Sequence, residues 1–200
     1  MMDSPAKWTK NVILVDADYV DRVAFHLIVN FERMLGRRIP QADMARWIDC
    51  IALDGGLRQG DNETMVVFIH AHQKKSMENF EPAQFDTELN EKAFRDNLGE
   101  FQLLSYPTED LVSQDDFFLD ALKLIASQPE VERVMVVPNA EQIYNKVVSA
   151  LRQQHAEEKH VTIFAMQPMA GGPFGQEILG YSLMSALGIR SDEIHANEEA

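Results

Sequence analysis

Residues 12–18 read Val-Ile-Leu-Val-Asp16-Ala-Asp18. Four aliphatic residues in a row leave no polar face, so as a strand this segment must be covered on both sides, as in the middle of a parallel sheet. The chain then breaks into two carboxylates one residue apart. In parallel α/β sheets, chemistry gathers beyond the carboxyl ends of the strands. One short stretch therefore predicts the fold class and the place where a site should lie.

The rest of the chain alternates in the same sense. Val20, Val23, Ala24, Leu27, Ile28, Phe31, Met34 and Leu35 recur at three- and four-residue steps, which predicts a helix ended by Gly36. Pro40 opens a second helix with the stripe Ala45, Ile48, Ile51 and Ala52, stopped by Gly55-Gly56. Strands are expected at 65–71, 101–106, 133–137 and 160–165, with helices around Phe117–Ile125, Ile143–Leu151 and Ile178–Leu187. A short helix is expected around Thr87–Asn97 within the polar stretch 73–99, and the acidic tail 191–200 is expected to fray. Strand–helix alternation implies right-handed crossovers and a mainly parallel sheet between two helical layers. The expectation is one α/β domain over residues 1–190, a three-layer α/β/α sandwich of Rossmannoid type with roughly five strands.

Composition narrows the function. Thirty-two acids against 18 bases give a net charge of −14, which argues against a nucleic-acid binder working through phosphate contacts alone. Arg33, Arg37, Arg38, Arg46 and Arg58 are the best candidates for a local basic face, whose ordinary reading is a solvated helical surface. The one cysteine, Cys50, excludes an internal disulfide and a thiolate metal site. No apolar run reaches membrane-spanning length and the first residues lack a signal-peptide core, so a soluble cytoplasmic protein is expected, with no membrane partner.

Three acidic or amide groups should reach one sheet edge. Asp16 and Asp18 follow the first strand, Asp115, Asp116 and Asp120 open a later helix, and Asn139, Glu141 and Gln142 follow the fourth strand. With strands one and four as neighbours, these ends meet where strand order reverses. Carboxylates gathered there suit Mg²⁺, a hard cation that takes one or two protein acids and keeps several waters. Each also has a plain structural reading, since Asp16, Asp18 or Asp115 and Asp116 are suitable helix caps and Asp120, Glu141 and Gln142 suitable solvent-facing residues.

This layout resembles the PIN-like superfamily, in particular its NYN branch. The branch's first strand ends in Asp-x-(Asp/Glu)-Asn, matched by Asp16-Ala-Asp18-Tyr19. Its central helix carries one or two Asp, as in Asp116-Phe-Phe-Leu-Asp120. Its later strand ends in Ser-Gly-Asp-x-Asp-Phe, where this chain has Pro138-Asn139-Ala140-Glu141-Gln142-Ile143. The resemblance spans roughly residues 10–166 and implies a PIN-like fold and a Mg²⁺-dependent ribonuclease or phosphodiesterase. Asp16 and Asp116 would then be metal ligands, Glu141 a third after rebuilding of its turn, and Asp18 and Asp120 would position water. Ala140 and Gln142 replace the last two acids and Tyr19 the Asn, so a catalytically inactive binding or assembly module of the same fold is the alternative. RNA, a phosphorylated ligand, a protein partner or a second copy in a homodimer are the partners these readings leave open.

Asp16-Ala-Asp18 also resembles the first motif of haloacid-dehalogenase-type phosphatases, with Asp16 as nucleophile and Asp18 as proton shuttle. That family needs a downstream Lys or Arg, for which Lys123 is poorly suited, and a late acidic pair. Two further patterns are weaker. His70-x-His72 puts two imidazoles on one side of a strand without an evident third ligand, and Gly171-Gly-Pro-Phe-Gly175 reads as a turn into the last helix.

Overall fold

The computed structural model describes residues 2, 5 and 7–198. Its elements in chain order begin with β1 (Asn11–Asp16), α1 (Ala17–Leu35), β2 (Ala42–Asp43), α2 (Met44–Asp54), β3 (Glu63–His70) and β4 (Phe80–Glu81). A π-helical turn at Phe85–Leu89 leads to β5 (Lys92–Asp96), β6 (Gly99–Pro107), α3 (Gln114–Ala126), β7 (Arg133–Val137) and α4 (Ala140–Gln153). A 3₁₀ turn at Ala156–Glu158 precedes β8 (His160–Ala165), β9 (Gly175–Ile178), α5 (Leu179–Ala186) and α6 (Ser191–Glu198).

Seven strands form one sheet in the order β5-β6-β3-β1-β7-β8-β9, parallel throughout except for β5. β1 lies in the centre, and every residue from Asn11 to Asp16 is buried, as an all-aliphatic strand requires. The period-2 geometry of a strand then divides its side chains between two cores. Ile13 and Val15 pack with Val20 and Ala24 of α1, Trp47 and Ile51 of α2, and Leu183 of α5. Val12 and Leu14 pack with Phe118 and Leu122 of α3 and Val147 and Leu151 of α4. Trp47 fastens the first group, donating Nε1–H to Ser182 Oγ at 3.1 Å and meeting Phe80 edge-on at 5.5 Å.

The sequence expectation of roughly five strands is too low. The two extra strands of the main sheet are its edges, β5 and β9. The helix expected around Thr87–Asn97 is absent; the π turn occupies its start and β5 runs antiparallel to β6 across the remainder. The tail expected to fray forms α6 through Glu198, held by a two-pronged pair from Arg37 to Glu193 at 2.8 and 3.0 Å and by Asn197 Nδ2 on the Met34 carbonyl.

The feature that positions the site is the neighbour relation of β1 and β7, paired in register from Asn11↔Arg133 to Val15↔Val137. The chain builds outward from β1 through β3 to β6, then returns to the other side of β1 with β7. Strand order reverses between β1 and β7, where their carboxyl ends open a crevice.

Candidate functional site

That crevice is a cleft of about 230 Å³ lined by Asp16, Asp18, Tyr19, Arg22, Ser113, Gln114, Asp115, Asn139 and Gln142. It draws on the β1–α1 turn, the start of α3 and the β7–α4 turn, three segments distant in sequence.

Asp16 forms its floor, with only 4% of its surface exposed. It ends β1 and caps α1, its Oδ1 accepting the Tyr19 backbone N–H at 3.1 Å and Gln114 Nε2 at 2.8 Å. Both bonds end on the same oxygen, which leaves Oδ2 unengaged among the described residues. Burial is the largest influence on this carboxyl, and the nearby charges of Asp18 and Asp115 add to it. Together they lift it from 3.8 to about 6 against the opposing hydrogen bonds of Tyr19 and Gln114.

Asp18 has a different occupation. Its Oδ2 accepts the Ala71 N–H at 2.8 Å, and Oδ1 lies 3.9 Å from Lys74 Nζ. One turn along α1, Asp21 is buried and accepts the backbone N–H groups of Glu78 and Asn79 and the Asn79 side-chain amide. Two acids of α1 therefore pin the segment after β3, and Asp21 gives no sequence signal of this beyond being a charged residue on an otherwise apolar helix face.

The structure separates the other expected site residues. Ser113 caps α3 by accepting the Asp116 N–H at 3.1 Å, which sets the helix phase so that Gln114 and Asp115 turn into the cleft. Asp116 is exposed and does not line it. Asp120 is exposed a turn further on and lines an apolar groove with Phe117, Ala121 and Leu124 instead. Glu141 is exposed as well; burial, and then its carboxylate, push the Tyr19 phenol upward. Of the five residues assigned to catalysis or metal binding from the sequence, the cleft brings Asp16 and Asp18 together and leaves out Asp116, Asp120 and Glu141. It adds Asp115, Gln114 and Arg22, of which Gln114 and Asp115 are legible from Ser113 as a cap. Arg22 lies over the Tyr19 ring at 5.6 Å and is the one cation among the cleft residues.

One lining side chain, Asn139, carries a buried polar atom without a partner: it is 7% exposed, and its Oδ1 has no hydrogen bond among the described residues. Such an atom costs on the order of 1–3 kcal/mol when left bare. Asn139 lines the same cleft as Asp16.

The remaining sequence candidates resolve simply. His70 ends β3 in the core, stacked on Phe85 at 3.7 Å, with Nδ1 toward the Ala71 carbonyl and its pKa held down by burial. His72 is exposed 3.7 Å from Asp110, so the two imidazoles do not share a site. Lys123 lies in the last turn of α3 and does not line the cleft. Gly171 accepts the Tyr144 hydroxyl through its carbonyl, and the turn is braced by Gln176 on both polar atoms of the Met169 backbone.

Residues 5–194 match a family described as a family of unknown function (DUF6621). The chain belongs to DUF6621. No curated protein and no solved structure matches it. Nearly the whole DUF6621 match falls on the sheet and helices described above, so it takes in every segment that builds the cleft. Among the described residues no helix is long and apolar enough to cross a membrane.

Proposed function

We propose that this chain is a PIN-like domain of NYN type, a three-layer α/β/α arrangement retained as a binding module, whose β1–β7 cleft accepts a cationic group from its partner. The supporting observation is the pair of acceptors left open there, Asp16 Oδ2 and the buried, unpartnered Asn139 Oδ1. Asp16, Asp18 and Asp115 line the cleft against Arg22, with Lys74 3.9 Å from Asp18, so the acids still outnumber the bases and a cation is drawn in. At about 230 Å³ the space lies below the roughly 300–1,000 Å³ of a drug-sized pocket. It suits one charged head group, such as the guanidinium or ammonium of a partner's Arg or Lys.

The PIN-like resemblance implies Mg²⁺, and the donor set can be tested against it. Asp16, Asp115 and Asn139 offer oxygens, whereas Asp116 and Glu141 stand outside the cleft. Among the described residues no three His, Cys, Asp or Glu side chains come together as a metal-holding group. The residues present do not fit the several-carboxylate cage of a PIN-type nuclease.

NMR titration of the intact chain decides between the readings, with the side-chain amides of Gln114, Asn139 and Gln142 as reporters. N-acetyl-arginine amide at millimolar concentration should shift all three, and Asp16→Ala should abolish the response. Mg²⁺ that shifts them more strongly, joined by Mg²⁺-dependent cleavage of single-stranded RNA that Asp16→Asn removes, would overturn the module in favour of a ribonuclease.

A further inference from the structure

The basic stretch that stands out in the sequence is dispersed by the fold. Arg37 is paired with Glu193, and Arg46 donates to Ser185 Oγ on α5. Arg58 goes elsewhere, to the amino edge of the sheet, opposite the cleft. There Arg133 and His160 are register partners at the starts of β7 and β8, so their side chains leave the same face of the sheet. It is the face against which α2 ends.

The turn after α2 lets them converge. A Cβ on Gly55 would fall 2.2 Å from Met135 Cγ, so glycine is what allows the helix end to lie against β7. A Cβ on Gly56, which has φ +94°, would fall 2.6 Å from Arg133 Nη1 and 3.3 Å from His160 Nε2. The Arg133 guanidinium and the His160 imidazole therefore reach over the same bare backbone. Arg133 uses Nη1 on the Gly55 carbonyl at 2.6 Å and Arg58 uses Nη1 on its neighbour Leu57 at 3.1 Å. Their other N–H groups have no protein acceptor among the described residues.

No ion pair joins Arg58, Arg133 or His160 to an acid among the described residues, a condition they share with Arg22, Arg46 and Arg152; what sets them apart is their convergence on one turn. Asp54, close in sequence, is placed against another acid, Glu177. The half-buried Arg133 is held down by burial and by the charge of Arg58, with no acid to offset either. Arg58 and Arg133 are thus two like charges placed together, in a chain of 32 acids and 18 bases.

We infer that Arg58, Arg133 and His160 form a cradle over the Gly55–Gly56 turn for the phosphoryl group of a small molecule. Guanidinium forks match the paired oxygens of a phosphate. The cradle is one spot and has no basic track leading from it, and the chain's net negative charge repels a long polyanion, so a terminal phosphoryl group fits and a nucleic-acid backbone does not. This site is separate from the β1–β7 cleft and does not depend on the function proposed for it.

Titration of the intact chain with pyrophosphate and with inorganic phosphate at constant ionic strength, followed by NMR on the Arg Nε–H and Gly56 amide signals, tests the cradle. Saturable shifts of Arg58, Arg133 and Gly56 are expected. Arg58→Gln should weaken pyrophosphate binding about tenfold, with Arg58→Lys recovering part of the loss and Arg46→Gln changing nothing. Arg58 and His160 are exposed, so their variants should keep the wild-type unfolding curve. The absence of a saturable response at millimolar pyrophosphate would overturn the inference. So would a response that survives both Arg58→Gln and His160→Gln, or equal binding of an RNA oligomer without terminal phosphate.

Discussion

At the carboxyl edge of the sheet Asp16, Asp18 and Asp115 crowd together, and burial with mutual repulsion holds Asp16 at about 6. At the amino edge two groups of the opposite sign, the Arg58 and Arg133 guanidiniums, lie together with the His160 imidazole. Arg37–Glu193 and Arg95–Asp61 show the other arrangement, each charge set against its opposite. A parallel sheet brings the strand ends of distant segments to common edges, and at both edges this chain gathers like charges that are only partly offset, Lys74 reaching Asp18 at the carboxyl edge. That arrangement costs stability and gains a place for a ligand of opposite sign.

The acids of α1 sharpen the contrast, because they differ in what they hold. Asp21 is a carboxylate satisfied by three N–H donors. Asp21→Ala should strip the segment around Glu78 and Asn79 of its anchor and cost about 3 kcal/mol in urea unfolding. A loss below about 0.5 kcal/mol would erase the distinction between anchoring and open acids.

Asp16 should behave oppositely. Its folded value of about 6 lies above the ordinary 3.8, so the folded chain holds that proton more tightly than the unfolded chain does. Stability should therefore fall as pH rises through that window and stay lower above it. Asp16→Asn, which keeps a cap and an acceptor for Gln114, should stabilise the chain at pH 8 by on the order of 2 kcal/mol and by nearly nothing below the window. Destabilisation at pH 8 would place Asp16 with Asp21 as a structural acid.

Asp18→Ala bares the Ala71 N–H and should cost about 1 kcal/mol, seen as faster hydrogen exchange at Ala71. Asp116→Asn and Asp120→Asn should each change stability by less than about 0.5 kcal/mol and leave the cleft amide signals in place. Smallest of all, Glu193→Gln should leave the global transition unchanged and speed exchange only in α6. The pairing with Arg37, and next the Arg190 N–H, hold the Glu193 carboxyl down at about 2. Its contribution is present above the ordinary carboxylate range and is lost as pH falls toward that value.

Much of the fold was legible because its central strands are aliphatic and its helices periodic. The edges were not. β5 reads Lys-Ala-Phe-Arg-Asp, with charges that guard an edge and hide its strand character. β9 is four residues behind a Gly- and Pro-rich turn. The location of the cleft followed from the ends of β1 and β7, but its membership depended on helix phase. Spacing cannot tell Asp115 from Asp116; the cap at Ser113 does, by fixing which way the first turn faces. Glu141 was placed outside for the same reason, since α4 starts at Ala140 and turns it to solvent. The acidic composition of the tail shows charge and does not show that Arg37 pairs with Glu193.

Carboxyl-detected NMR of Asp16 as a function of pH, with and without N-acetyl-arginine amide, tests the cleft most directly. The expected midpoint is about 6 in the free chain, moving downward when the cation binds and favours the ionised form. A midpoint at the ordinary 3.8 that the cation does not move would contradict a buried, open acid awaiting a positively charged partner.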